Sequence, residues 1–300
     1  MALVINYNQS SHAARRGVDG SQAVFQGAIE KLSSGLRINK ASDDAAGLAV
    51  SEKLRHQVRG LNQAQRNAQD AISLLQVAEG ALNEVHGILG RVRELSVQSA
   101  NDTLTASDRT HIQAEVDALL SEIDRISTST QFNKLNLLDG STGDRAAAAY
   151  VFHVGANIDN PTASNEISFV IGNSALGFNA ASDGQIDTAT LNNIADLKST
   201  GTGVATQANA NTAIATLDLA IEAVSGYRGD IGAMQNRLTS EINSLGVAAE
   251  NTGAANSRIR DADVAHAVSE MVRAQILQQS SMAVLAQANQ APQSVLQLLQ

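Results

Sequence analysis

Six histidines, at positions 12, 56, 86, 111, 153 and 266, are the side chains best suited to hold a metal or move a proton near neutral pH. Three have a glutamate at helical spacing: Glu52–His56, His111–Glu115 and His266–Glu270. A metal site needs a third ligand in one compact cluster, and no H-E-x-x-H pattern occurs, so these read as solvated i,i+4 pairs. "DADVAHAVSE" (261–270) starts like a calcium loop but lacks the loop's glycine and third acidic position. "STGTGVAT" (199–206) is glycine-rich, yet follows no strand and carries no lysine for a phosphate. No Ser/His/Asp set has local support as a triad. "NQS" (8–10) and "NDT" (101–103) match the N-glycan sequon by chance, whereas Ser and Thr of 179–206 are more accessible acceptors for O-linked sugar. The expectation is no catalytic residue, no metal ligand and no cofactor: not an enzyme.

The chemistry that does recur is apolar and helical. Lys plus Arg number 21 against 30 Asp plus Glu, a net charge of −9 that disfavours nucleic acid as a partner. Aromatics are 3% with no Trp, so apolar area must come from Ala, Leu, Ile and Val. Only two prolines, Pro161 and Pro292, interrupt 300 residues, which suits long helices. There is no cysteine, which suits exposure to oxidants outside the cell as well as the cytoplasm. "MALVINYNQSSHAARRG" lacks the charge order and apolar core of a secretory signal, and no stretch is apolar enough for membrane insertion.

The elements fall into three zones. Val4, Tyr7, Ser11, Ala14, Val18, Ser21, Phe25, Ala28 and Leu32 step by three and four, a coiled-coil seam softened by small residues. "LSSGLRINKASDD" (32–44) interrupts it, with Gly35 as a stop and Ser42-Asp43-Asp44 as a new N-cap. A long helix runs to about Ala100 along Leu54, Val58, Leu61, Ala68, Ile72, Leu75, Leu82, Val85, Leu89 and Val92. "NDTLTASD" turns the chain into a shorter helix with Ile112, Val116, Leu119, Ile123 and Ile126 on its seam. "YVFHVGANI" and "EISFVIGN" alternate like strands around the turn "DNPTASN", a β-hairpin near 148–172. Residues 179–203 form a short polar excursion. Helix resumes near Gln207 with Ile214, Leu217, Ile221, Val224, Ile231, Leu238, Ile242 and Leu245, and "NTGAANSRIRDAD" is a weak point before a last helix from about Val264.

That last helix is unusual. No charge follows Arg273, and two apolar stripes lie side by side. One contains Val264, Val268, Met271, Met282, Leu285, Leu296 and Leu299; the other Leu277, Val284, Ala288, Ala291, Val295 and Leu298. A single partner helix covers one stripe, so two imply several neighbours, and further copies of the chain are the obvious cover. The fold class expected is mainly α: a long antiparallel coiled-coil-like helical hairpin rod, a small central β-hairpin region, and both termini helical and paired. The domains expected are 1–42 plus 258–300 as a terminal helical core, 43–178 plus 204–257 as a helical rod, and 179–203 as an exposed excursion.

The sequence resembles bacterial flagellin. The resemblance is carried by "KLSSGLRINKASDDAAGLAV" (31–50), "GLNQAQRNAQDAISLLQVAEGALNEV" (60–85), "RVRELSVQSAND" (91–102), "EIDRISTSTQFNKLNLLDG" (122–140) and "SRIRDADVAHAVSEMVRAQILQQSSMAVLAQANQAPQSVLQLL" (257–299). It implies a subunit that polymerises into the extracellular helical flagellar filament used in swimming, exported without a cleaved signal peptide. Terminal helices would line the filament core, so Val18, Phe25, Leu32, Leu36, Val268, Met271, Leu277, Met282, Leu285, Val295, Leu296 and Leu299 are the expected assembly residues. The short middle leaves no room for the outer domains, or the enzymatic insert, of larger members. Hook-associated and cap proteins, the flagellar export apparatus and a chaperone are the implied partners. A vertebrate Toll-like receptor is another, recognising Arg91, Leu95 and Glu115; Gly90 stands where the best-recognised members carry Gln and weakens the helix by about 1 kcal/mol relative to Ala. The alternative of the same superfamily is a hook–filament junction protein, whose members match "LRINKASDDAAGLAV" and the C-terminal segment less closely.

Overall fold

The computed structural model is mainly α-helical. It describes residues 8–138, 150–157, 165–169, 197–198 and 203–298, with side chains as far as residue 290. Five helices, α1 (Gln9–Ser34), α2 (Ala45–Ser99), α3 (Ala106–Ser129), α4 (Gln207–Arg260) and α5 (Val264–Leu298), account for most of these residues. Among the described residues the short strands are β1 (Gln131–Phe132), β2 (Leu135–Asn136), β3 (Tyr150–His153) and β4 (Glu166–Phe169). Two compact units are distinguished: Met1–Val58 with Glu250–Gln300, and Arg59–Ala249.

Helix boundaries follow local chemistry. Gly35 closes α1 at φ 69°, a left-handed conformation that glycine adopts without steric cost, and its N–H donates to Lys31 O. The Asp44 carboxylate accepts from Gly47 N at 2.9 Å and so caps α2, within the Ser-Asp-Asp run that the sequence singles out. Thr105 and Asp108 form a reciprocal capping box that starts α3. Asp263 accepts from the N–H groups of Ala265 and His266, so "DADVAHAVSE" starts a helix instead of a calcium loop. The expected weak point at "NTGAANSRIRDAD" is narrower than the sequence suggests: α4 stays helical through Arg260, and only Asp261–Asp263 leave the helix.

In the unit Arg59–Ala249, α2, α3 and α4 share one core. Among the buried residues of α2, Ala68, Ala71, Leu75, Ala78, Leu82, Val85, Leu89 and Val92 form a three–four alternation without a break. Ala210, Ala213, Leu217, Ala220, Val224, Ile231, Met234 and Leu238 follow the same spacing on α4, with half-buried Tyr227 filling the step from Val224 to Ile231, and Ile112, Val116, Leu120 and Ile123 form the α3 stripe in steps of four and three. This is the heptad geometry of coiled coils. The alanines supply the turns where apolar pattern alone shows gaps. Ion pairs and amide contacts cross the core edge: Arg93 donates to Asp218 at 2.5 Å and Gln235 to Glu79 at 3.0 Å.

The hairpin β3–β4 is where the sequence places it. Tyr150 pairs Phe169 and Phe152 pairs Ile167, and this face packs on the helical core; Val151, Ser168, His153 and Glu166 face out. Gly60 on α2 lets the loop after β3 approach, since a Cβ there would stand 2.9 Å from Ala156 Cβ. A second hairpin, β1–β2, turns through Asn133 and Lys134, both with positive φ. It follows the helix whose seam the sequence marks from Ile112 to Ile126, and is not signalled in the sequence because "FNKL" lacks the glycine that marks such turns.

A buried amide ties the segment before α4 to α3. Gln113 Nε2 donates to Leu197 O at 2.8 Å, and its Oε1 accepts from Val204 N. Ser99 Oγ donates to Val204 O at 2.5 Å. Apart from 197, 198 and 203, the expected excursion at 179–203 lies outside the described residues, as does Phe178. Replacing Gln113 with Ala leaves Val204 N–H without its acceptor and Leu197 C=O without its donor. The expected cost is about 1–3 kcal/mol, read by denaturant unfolding, whereas Gln113→Glu should cost as much or more because it loses the amide donor.

Candidate self-association surface

Helices α1 and α5 pair antiparallel in the unit of the two termini. Asn8 Nδ2 donates to Ala288 O at 2.8 Å, Ser11 Oγ to Asn289 Oδ1 at 2.8 Å, and Gln278 Nε2 to Gln22 Oε1. Asn8, an expected sequon residue, also caps α1 by accepting from Ser11 N. From Ser11 on, the seam on α1 is the predicted one: Ser21 and Ala28 are buried, and Ser11, Ala14, Val18, Phe25 and Leu32 are half-buried, while Val4 and Tyr7 lie outside the described residues. On α5 the covered residues are Ala267, Ala274 and Ala288, buried, with Met271, Gln278, Ser281 and Leu285 half-buried. Both seams are dominated by small residues. A Cβ built at Gly17 would lie 3.9 Å from Ser281 Cβ.

Because small residues face α1, larger ones face away from it. Val264 is 55% exposed, Val272 43%, Ile276 60%, Leu277 52%, Met282 49% and Val284 52%. Val268 is also exposed. Val268, Val272, Ile276 and Leu277 line a shallow depression of about 510 Å³ with Ser269 and Arg273. Val24 and Ile29 on α1 and Val50 on α2 are further exposed apolar residues of this unit. Among the expected assembly residues, then, Val18, Phe25, Leu32, Met271 and Leu285 are partly covered within the chain, and Val268, Leu277 and Met282 are uncovered. Val295, Leu296 and Leu299 lie beyond the described side chains. Leu36 is half-buried and pairs with Asp261 in an isolated antiparallel bridge. Val272 and Ile276 are absent from the sequence-based stripes. The signal for them is the i,i+4 ridge Val264–Val268–Val272–Ile276, which a strict three–four search passes over.

Around the bridge, carboxylates are held ionised by their partners. Glu30 is lowered below its ordinary pKa by Lys40, whose Nζ lies 2.7 Å away, and by Asn39. Asp43 is lowered by the backbone N–H groups of Lys40 and Asn39. Glu52 is lowered by Arg260, 2.7 Å away, with Arg55 adding to it. Glu52 therefore serves arginines, while the Glu52–His56 pairing expected from spacing is secondary.

Histidine pairs and the expected receptor patch divide in the same way. His266 keeps Glu270, at 3.9 Å. Glu115 pairs with Arg91 at 3.0 Å, and Arg91 also meets Glu94, so its guanidinium is pushed up by Glu115 first and Glu94 second. Arg91 and Glu115 are exposed side by side, but Leu95 is 2% exposed and belongs to the core. No group of three potential metal ligands occurs among the described residues. No described helix is long and apolar enough to cross a membrane.

A paired-helix unit with an uncovered apolar face belongs to the class of self-associating coiled-coil proteins. The chain matches the models for the bacterial flagellin N-terminal helical region over residues 5–142 and C-terminal helical region over residues 214–299. It is 48% identical to the flagellar filament 33 kDa core protein of Treponema phagedenis, covering 99% of this chain and 100% of that protein. Identity to flagellin of Bacillus subtilis (strain 168) is also 48%, over 98% and 99% of the two chains. A putative flagellar hook-associated protein from Vibrio parahaemolyticus shares the fold, with TM-score 0.56 and 17% identity over 73% of this chain and 100% of that one. The chain belongs to the bacterial flagellin family.

Acid should loosen the contacts around the bridge. Carboxylates with folded pKa values below their unfolded ones stabilise the fold above the ordinary carboxylate range, and that stability is lost as pH falls through the lowered values. Protection factors for amide exchange at residues 35–37 and 260–262, taken relative to the intrinsic rate at each pH from 7 down to about 3, should fall in that acid window. Glu30→Gln with Glu52→Gln should show faster exchange at neutral pH and a flatter acid response.

Proposed function

We propose that this chain is the repeating subunit of a flagellar filament and acts by polymerising, without catalysis. The observation that carries the reading is the uncovered ridge of α5, Val264 to Val284, in a chain matched end to end by filament core proteins. Each exposed Val, Leu or Ile gains about 1.5–3 kcal/mol when a neighbour covers it. A helical lattice repeats that gain in every subunit. The three residue types that dominate the ridge carry no charge, so its burial brings only Arg273, at the edge of the depression, into question as an ion needing a partner.

Relatives named as a flagellar filament core protein or as flagellins are 45–48% identical over 98–99% of this chain, whereas the hook-associated likeness is one of fold. That contrast favours the filament subunit over the junction protein. Export through the flagellar secretion apparatus without a cleaved signal, with a chaperone covering the apolar face beforehand, accords with the same surface. Cap and hook-associated proteins are the further partners that the family resemblance implies. For the Toll-like receptor, Arg91 and Glu115 offer an exposed charge pair, and Leu95 supports the helix from inside instead of offering a contact.

Leu277→Glu tests the reading. Leu277 is half exposed in the single chain, so thermal unfolding of the soluble protein should stay unchanged. Covering the new carboxylate in a lattice costs several kcal/mol per subunit, so electron microscopy of cells expressing only this form should show few or no filaments. Normal filaments and swimming would remove α5's outer face from the assembly contacts.

A further inference from the structure

The α1–α5 seam does not by itself select one register. On α5 a small residue recurs every seven positions: Ala267, Ala274, Ser281 and Ala288. Ala14, Ser21 and Ala28 repeat likewise on α1. The larger seam residues repeat with the same spacing, so sliding one helix past the other by seven residues sets small against large again as in the observed pairing, and little buried area changes. The Gln22–Gln278 contact is half-buried and reached by water, so its loss is a weak guard against slippage.

One register is nevertheless formed. The residue numbers of Asn8–Ala288, Ser11–Asn289, Gly17–Ser281 and Gln22–Gln278 add to nearly the same value, and the bridge Leu36–Asp261 falls on the same line. At that bridge Arg37 N donates to Arg260 O at 2.6 Å and Ala262 N to Gly35 O at 2.9 Å. The Arg37 guanidinium donates to Ile259 O at 2.6 Å, satisfying a carbonyl at the open C-terminal end of α4.

We propose that this bridge is a clasp that sets the register of the terminal helices, a non-covalent counterpart of a hairpin turn. A slip by seven residues moves the helices about 10 Å along their axes. One residue, Gly35, separates α1 from Leu36, and two, Ala262 and Asp263, separate Asp261 from α5. A residue spans at most about 3.5 Å, and these three are already fixed by the left-handed cap, the bridge and the Asp263 cap. With the clasp closed, only the observed register is within reach.

Because the chain has no cysteine, disulfide trapping reads the register directly. Gly17→Cys with Ser281→Cys places the two Cβ atoms at about 3.9 Å, within disulfide range. Gly17→Cys with Ala274→Cys, or with Ala288→Cys, reports a slip by seven in either direction. On oxidation of the soluble full-length chain, the 17–281 bond should form about tenfold faster than either slipped pair, which the closed clasp holds out of range. Trapping rates report register whether pairing is lasting or transient, and they need no polymer. Arg37→Ala with Ala262→Pro removes both the guanidinium and one bridge donor, and should bring the three rates towards equality. A retained preference for 17–281 in that variant overturns the proposal. If the variant loses helix pairing and traps none of the three, Leu36→Cys with Asp261→Cys, without the reporter cysteines, replaces the clasp covalently. Those two residues form the closely spaced, non-hydrogen-bonded kind of antiparallel pair. Oxidation should then restore amide protection along α1 and α5, and failure to restore it also overturns the proposal.

Discussion

Close approach of two helices through small side chains is the contact on which the terminal unit depends. Ala28, Ala267, Ala274 and Ala288 are buried between α1 and α5, and Gly17 meets Ser281 there. Small residues bury little area each, so this pairing gains less than a leucine seam would. Its consequence is geometric. When alanine and serine take the inward positions, valine, isoleucine, leucine and methionine are left for the other faces, and α5 carries them uncovered. A helix apolar on more than one face is stable only when more than one neighbour covers it.

The unit Arg59–Ala249 obeys the opposite rule. Leu75, Leu82, Leu89, Leu120, Leu217, Ile231 and Leu238 are fully buried, and the outward faces of its helices carry charge, as Arg91–Glu115 and Arg93–Asp218 show. Its core is complete within one chain, with the aromatic face of β3–β4 packed against it. One heptad grammar therefore serves two ends. With large residues on the seam it makes a self-sufficient core, and with small ones it makes a pair that needs company.

Polar groups decide the joints between these elements. Gln113 holds Leu197 and Val204, Asp44, Thr105 and Asp263 cap three helices, and Arg37 meets the C-terminal end of α4. Backbone groups freed where helices stop must find partners, and these side chains provide them. That accounting explains why acidic residues near Asp261 and Asp263 have a structural task in place of a metal.

Much of this was legible in the residues themselves. Periodicity marked the helices, the seam from Ser11 to Leu32 and the strands Tyr150–His153 and Glu166–Phe169, because side-chain spacing reports secondary structure directly. Gly35 and Asp44 marked ends, since their preferences are local. The uncharged stretch after Arg273 announced a helix with too much apolar surface for one partner. The identity of the inward face on α5 was not legible, because alanine and serine carry little hydropathy signal, and the eye goes to Val268, Leu277 and Met282. Leu95 and Glu52 show the same limit: spacing offers neighbours along one helix, but Leu95 turns into the core and Glu52 reaches Arg260, 208 positions away. Sequence by itself determined the long helices, the hairpin β3–β4 and that the ends are too apolar to stand alone, but not the short hairpin β1–β2. Tertiary structure decided which face is used, which register is taken and which charges meet, because those depend on helix pairs distant in the chain, where shape and distance choose among options that local pattern leaves equal.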